Sequence, residues 1–432
     1  MTATAAPDIA PQLERRRAAA AEAWNLGEEV VLMGAGSPLA MPGRADRTYP
    51  FKAHSEYLYL TDRERPGGVL AFDPETGWSD FVVPVSRDET VWEGVDPDSV
   101  QGEPISALAG WLSQRQGRRV ACLGSPVEGV AEDRSLREDV RRGLNAVRRP
   151  KDAVELDRMR RAQVATEAGF AAVLEALAPG VSERELQIEL ETAFRRAGGD
   201  DTGYEGIVAG GPNSAVLHFP PTGRRLREGE LVLIDAGAEY RAYTADVTRT
   251  YAAGELSPEL ATLHALVRRA CVAGTERCTP GTEWTEVHRT AALVIAEGLV
   301  DFGVLRGRPE SLFESGAVAV FFPHGVGHMV GLGVRDASEV LPGRRPDPEI
   351  FPSLRMDLPL AAGYTVTVEP GVYFVPALLG DPQLRARHGA AIDWDRAEAM
   401  IGSGGVRIED DVLVTETAPE VMSAAIPISR AA

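Results

Sequence analysis

EGELVLIDAG at 228–237 and AGYTVTVEPG at 362–371 are the two stretches on which the reading of this chain turns. Each is a short run of strand-favouring residues that closes on an acid, one further residue and a glycine. A second pair supports the match: PGVSEREL at 179–186 and PGTEWTEV at 280–287 both place a turn just ahead of a helical pattern. Two related pairs in the same order indicate an internal duplication. The pairs are separated by unequal lengths, so the second half carries an insertion, which the turn-rich GRRPDPEIFPS at 343–353 fits. Strands related in this way can each bring a carboxylate, Asp235 and Glu369, to one shared centre.

In TADVTRTY, Asp246 follows Asp235 at a distance that a hairpin would bring onto a neighbouring strand. Acids at strand ends are commonly turn-formers, so neither is informative alone. FFPHGVGHMVGLG at 321–333 holds His324 and His328 four apart, the spacing of a metal-binding helical face. Gly325 and Gly327 would each cost a helix about 1 kcal/mol, and Pro323 restricts the residue before it, so the segment reads as loop or strand. The two imidazoles then have separate roles, or are ordinary loop histidines. In GGVRIEDDVLV at 404–414, alternation puts Arg407 and Glu409 on one face and Val406 and Ile408 on the other. If Asp235, Asp246, Glu369 and Glu409 converge, their charges need compensation that two divalent cations would supply. Carboxylates with one imidazole and no thiolate favour manganese, cobalt or catalytic zinc over a structural zinc site. The chemistry expected there is hydrolysis by a hydroxide bridging the ions.

Composition sets the outer limits. A chain of 432 residues accommodates two or three domains, and its 44% hydrophobic and 25% charged residues are an ordinary globular balance. No stretch is apolar enough to span a bilayer, so no membrane partner is expected. A net charge of −19 argues against nucleic acid, whose phosphates are bound through Lys and Arg. Cys122, Cys271 and Cys278 are odd in number and outside any CxxC, so they read as free thiols. Cys271 and Cys278, seven apart, share a helical face suited to core packing. MTATAAPDIAPQLERRRAAAAEAW has charges where a secretory leader needs an apolar run, and a cytoplasmic location is expected.

EYLYLTD, GGVLAFD and DFVVPV, set between turn signals, read as strands of an α/β unit, and the charged stretch around Pro150 marks its end. Beyond it, Phe170, Val173, Leu174 and Leu177 line one helical face that Pro179-Gly180 stops. Ser182 and Glu185 form a capping box for the next helix, with Leu186, Leu190, Ala193 and Phe194 inward and Gly198-Gly199 at its end.

Taken in order, Asp235 in DAG, Asp246, His328 in HGVGH, Glu369 in VEPG and Glu409 in GGVRIED resemble the ligand set of the pita-bread metallopeptidases. That family includes methionine aminopeptidase, aminopeptidase P and prolidase. YPFKAHSEYLYLTD at 49–62 and SRDETVWEG at 86–94 resemble the N-terminal domain of the last two, so the likeness covers essentially the whole chain. It implies an α/β protein with a small creatinase-like α/β domain over 1–150 and an internally duplicated α+β pita-bread catalytic domain over 151–432. It also implies that Asp235, Asp246, His328, Glu369 and Glu409 hold two divalent ions, Mn2+ first, with Co2+ or Zn2+ as alternatives. Asp246 and Glu409 would bridge the ions, and Glu369 would shuttle protons. His218 in NSAVLHF matches a histidine near the scissile bond, His324 one that stabilises the tetrahedral intermediate, and Arg407 an arginine that orients Glu409.

Where the aminopeptidase P and prolidase pattern continues to a third histidine, seven residues past the ligand, GLGVRD carries Arg335. Arginine cannot relay a proton as a neutral group, but it can hold a carboxylate or carbonyl, unless it simply pairs with Asp336 or another acid. Arg355 in SLR resembles the prolidase arginine that binds a substrate's C-terminal carboxylate, with a plain surface arginine as the alternative. Trp92 in VWEG matches a tryptophan that lines a neighbouring subunit's site, implying a homodimer, or else is a buried structural residue. The expectation that results is a prolidase-like hydrolase of Xaa-Pro dipeptides, acting on small peptides with proline second. The alternative is aminopeptidase P, which takes longer peptides, and a remoter one is a non-catalytic pita-bread binding module.

Overall fold

The computed structural model describes residues 9–44 and 47–429, so MTATAAPD, part of the stretch weighed above as a leader, lies outside the described residues. The chain falls into two compact units, Met1–Arg148 and Arg149–Ala432. Among the described residues no helix is long and apolar enough to cross a membrane.

The first unit is built on a five-stranded sheet in the order Glu103–Pro104, Gly77–Val82, Val69–Asp73, Val30–Gly34, Val120–Gly124. Its two outermost pairs are parallel and the inner pairs antiparallel. VVLMG is buried along its whole length, as a strand covered on both faces must be. GGVLAFD and DFVVPV supply the antiparallel pair Val69–Asp73 and Gly77–Val82. EYLYLTD does not form a strand: Ser55–Thr61 is a helix. Tyr57, Leu58, Tyr59 and Leu60 are all buried, and a short run buried on every side has no period to separate strand from helix. Packing then overrides the strand preference of its tyrosines.

In the second unit a helix pair and an antiparallel sheet occur twice. Helices Ala153–Ala176 and Glu183–Arg196 pack on strands Ile207–Gly210, Glu230–Ala236 and Val247–Ala253, with Phe170, Leu186, Leu190, Phe194, Val232 and Ile234 in one core. The capping box forms as the sequence reads: Ser182 Oγ accepts from Glu185 N at 3.2 Å and Glu185 Oε2 accepts from Ser182 N at 2.7 Å. Helices Pro258–Glu276 and Trp284–Asp301 belong with strands Thr365–Val368 and Asp410–Leu413, whose core holds Trp284, Ile295, Val366, Val368 and Val412. The copied helix start keeps the turn but not the cap, because Glu283 makes no side-chain bond to the helix it precedes. Burying each large aliphatic or aromatic side chain contributes roughly 1.5–3 kcal/mol, so these two cores fix the positions of the strands between them.

All three cysteines are free and buried. Cys271 and Cys278 share one core but not one helix, since the helix carrying Cys271 ends at Glu276.

Candidate metal centre

Strands Glu230–Ala236 and Val247–Ala253 pair antiparallel with Thr248 opposite Asp235, so Asp246 enters beside Asp235 from the neighbouring strand. The turn that allows this needs Gly237, where a Cβ would overlap the Ala245 carbonyl. From the other half, Glu369 directly follows strand Thr365–Val368, and Glu409 sits between Gly405–Arg407 and Asp410–Leu413. Glu409 is locked to the first half: its N–H donates to Thr248 O at 3.0 Å, and Thr248 Oγ1 donates to its Oε2 at 2.5 Å. The two halves thus place their carboxylates face to face. Ligand oxygens of Asp235, Asp246 and Glu409 lie within 4.8 Å of one another.

Charge is the problem such a cluster poses. Burial first, then the neighbouring carboxylates, pushes Asp246 and Glu409 well above the usual carboxylic range. Burial likewise raises Glu369 to about 7, against the opposing charge of Arg407. Carboxylates this close in a low-dielectric site cannot all ionise without cations.

HGVGH is a loop, as its glycines require. Gly327 has φ +152, and a Cβ there would overlap the Thr367 carbonyl, which lets His328 run against strand Thr365–Val368. His328 Nδ1 lies 3.0 Å from the Met329 carbonyl, so Nδ1 carries the proton and Nε2 keeps a lone pair. That lone pair faces Asp246 Oδ2 at 3.4 Å and Glu369 Oε1 at 3.8 Å. Burial holds His328 neutral, lowering it to about 4. An acceptor aimed at two acceptors is the arrangement that a shared cation resolves. The donor set of four carboxylates and one neutral imidazole fits two hard-to-borderline divalent ions.

His324 differs. Its Nδ1 meets the Gly325 carbonyl at 2.9 Å, so Nε2 accepts from the Tyr373 hydroxyl at 2.9 Å, and Arg407 Nη1 donates to that hydroxyl at 2.8 Å. Burial and then Arg407 lower His324 to about 3, which leaves it neutral. It stands 3.7 Å from Glu369 Oε2. Arg407 does not bond Glu409. It donates to Asp235 Oδ2 at 2.5 Å and to Thr248 Oγ1 at 3.0 Å, and it reaches Glu409 only through Thr248.

A cavity of about 350 Å3 opens on these ligands, and one of about 260 Å3 adjoins it through shared residues. His218 and Arg335 line both, and Arg355 lines the second. Partial burial, followed by the Arg407 charge, lowers the basicity of His218. Asp336 is taken by Lys151 at 2.9 Å, which removes the reading of Arg335 as its partner. Trp92 belongs to the first unit and is 82% exposed, so it is not a buried structural residue.

Several participants carry no short-range signal in the sequence. The Tyr204 hydroxyl lies 2.7 Å from Asp235 Oδ1 and 2.6 Å from Asp246 Oδ1, so its single proton is shared between two carboxylates. Tyr373 links Arg407 to His324. His288 accepts from Val326 N at 3.1 Å and stacks on Phe322 at 5.0 Å, steadying the loop of His324 and His328 from within the core.

Comparison with known proteins was consistent across the chain. The profile of metallopeptidase family M24 matches residues 157–416. A probable Xaa-Pro aminopeptidase PEPP of Paracoccidioides brasiliensis (strain Pb18) is 32% identical, covering 93% of this chain and 91% of the relative. Among solved structures, aminopeptidase PepP of Pseudomonas aeruginosa is similar with a TM-score of 0.78 and 28% identity, covering 96% of this chain and 95% of that one. Proline aminopeptidase P II from Yersinia pestis matches with a TM-score of 0.77 and 25% identity, covering 96% of each chain. These proteins carry aminopeptidase names, which back the alternative given above better than the dipeptidase reading drawn from Arg355.

Proposed function

This chain belongs to metallopeptidase family M24, and from that premise we propose that it is a Xaa-Pro aminopeptidase, releasing the first residue from peptides with proline second. The observation that carries the reading is the likeness to Xaa-Pro aminopeptidases along both units, joined to a site in which four carboxylates and one imidazole come together.

In the proposed reaction Asp235, Asp246, His328, Glu369 and Glu409 hold two divalent ions, Mn2+ by preference. Such ions, when bound, supply an activated water at neutral pH and Lewis-acid polarisation of the scissile carbonyl. The remaining work falls to the side chains. Glu369 accepts a proton from the attacking water and passes it to the leaving proline nitrogen. Both ring nitrogens of neutral His324 are engaged, Nδ1–H with the Gly325 carbonyl and Nε2 with the Tyr373 hydroxyl, so it donates to a developing oxyanion only by releasing the Gly325 carbonyl. His218, at the open side, contacts the peptide near the bond that breaks. Exposed Val91 and Trp92 are the residues a homodimer would cover.

The reading is tested with a matched pair, Ala-Pro and Ala-Pro-Ala, incubated with Mn2+-loaded protein. An aminopeptidase cleaves the tripeptide at least as fast as the dipeptide. Cleavage of the dipeptide alone would return the assignment to prolidase.

A further inference from the structure

Strand Val247–Ala253 carries a guanidinium that the proposed reaction leaves unused. Arg249 is fully buried, and its nitrogens reach three separate stretches of chain. Nη1 donates to Thr248 O at 3.0 Å and to Glu409 O at 2.6 Å, which ties the first half to the second. Nη2 donates to Asp410 Oδ1 at 2.8 Å and to Ser423 O at 3.3 Å, and Nε donates to Ile426 O at 3.2 Å, which brings in the C-terminal segment. Asp410 supplies the countercharge that a buried guanidinium needs.

The same network holds Asp246. Ser423 Oγ donates to Asp410 Oδ1 at 2.6 Å and accepts from Asp411 N at 3.2 Å, while Met422 N donates to Asp411 O at 2.8 Å. Asp411 Oδ2, so placed, accepts from Asp246 N at 2.9 Å and from the Gln163 amide. The backbones of Asp246 and Glu409 are thus both gripped by groups that meet at Arg249, Asp410 and Ser423. These are the two ligands expected to bridge the ions. A bridging carboxylate must present one oxygen to each ion, so the pair demands a fixed spacing, whereas a lone ion can be followed by its other ligands. Like charges also push Asp246 and Glu409 apart, and a rigid backbone resists that push.

We propose that Arg249 is a positioning residue of the metal centre, which sets the spacing of Asp246 and Glu409 and with it the affinity for the second ion of the pair. The C-terminal segment around Ser423 and Ile426 then works as part of that centre, because it holds Arg249 and Asp411 in place. Lysine cannot take over: one ammonium on a flexible stem does not meet Thr248, Glu409, Asp410 and Ile426 together. The inference rests on the reading of five ligands and two ions, and adds the residue that keeps the ligands in register.

The test titrates chelator-stripped full-length protein with Mn2+, followed by calorimetry and by electron paramagnetic resonance, with thermal midpoints alongside. The natural chain takes two ions and shows the spectrum of a spin-coupled Mn2+ pair. In Arg249→Lys the first ion binds nearly as before and the second about 10-fold to 100-fold more weakly, so the pair spectrum gives way to that of isolated Mn2+. Ser423→Ala, which keeps every charge, shifts the second ion in the same direction and decides the matter should Arg249→Lys not fold. Tyr251→Phe is the control: its hydroxyl donates to Pro427 O at 2.8 Å, so the change loosens the same segment away from Asp246 and Glu409, and both ions still bind. Unweakened binding of the second ion in folded Arg249→Lys or in Ser423→Ala overturns the proposal. Equal weakening in Tyr251→Phe does so too, since the network would then support the fold in general. A natural chain that takes fewer than two ions defeats the two-ion reading itself, and the proposal with it, before any variant is compared.

Discussion

Arg407 donates a 2.5 Å hydrogen bond from Nη2 to Asp235 Oδ2, while its Nη1 reaches the Tyr373 hydroxyl that bonds His324. One buried cation therefore orients a ligand carboxylate and an imidazole at once. Arg407→Lys keeps the charge but cannot serve Asp235, Thr248 and Tyr373 together. It should lower metal affinity about 10-fold to 100-fold, as measured by Mn2+ titration of the stripped protein. Unchanged affinity would show that Asp235 needs no such support.

Tyr204→Phe removes the hydroxyl shared by Asp235 and Asp246 and nothing else of comparable size. Metal affinity is expected to fall by about 10-fold while the thermal midpoint of the stripped protein moves little. A large drop in that midpoint with intact metal binding would make Tyr204 a packing residue instead.

Ion binding competes with protons. Glu369 is raised to about 7 when no cation is present, so the folded, ion-free protein binds protons that the unfolded chain has already lost. Its stability therefore declines as pH rises from about 4.5 through 7, and added Mn2+ restores more stability at pH 8 than at pH 6. Thermal midpoints with and without Mn2+ at the two pH values check this, and an ion effect independent of pH would contradict it.

Asp73 in the first unit titrates in the opposite sense. Burial pushes it up, but Arg118, the Glu75 backbone and Arg115 outweigh that and bring it to about 2. The stability it contributes is complete above about pH 4 and is lost as pH falls through 2. Asp73→Asn should cost about 3 kcal/mol at pH 7, since two arginines lose their buried partner, and less at pH 3. Denaturant curves at the two pH values decide it.

The buried pair of Lys151 and Asp336 gives a further test. Lys151→Met removes the ammonium that Asp336 meets at 2.9 Å and should destabilise the protein by about 3–5 kcal/mol in urea unfolding. Adding Asp336→Leu should recover part of that loss, because both charges are then gone. No recovery would mean that the Leu332 hydrogen bond to Asp336, not the pair, dominates.

Much of the site was legible in the sequence because it is carried by local constraints. Asp235 and Asp246 follow from hairpin spacing, Arg407 and Glu409 from alternation, and the loop of His324 and His328 from glycines that a helix would not tolerate. The helix at Ser182 was legible from its capping box. Tyr204, Tyr373 and His288 were not, because each acts through a partner dozens of residues away, and a lone aromatic has no spacing that declares it. EYLYLTD was misread for a related reason, since uniform burial erases the periodicity that separates strand from helix. Arg407 bonds Asp235 directly and reaches Glu409 only through Thr248, a relay that strand alternation does not reveal.

A metal-dependent aminopeptidase, the function proposed above, must lose its activity with its ions. Chelator-stripped protein is titrated with Mn2+ while the release of free alanine from Ala-Pro-Ala is followed, with Asp246→Asn run alongside. The expected result is no release at zero metal, activity that rises to a plateau near two ions per chain, and an inactive variant. Release of alanine by fully stripped protein, or by Asp246→Asn at the natural rate, would contradict the account.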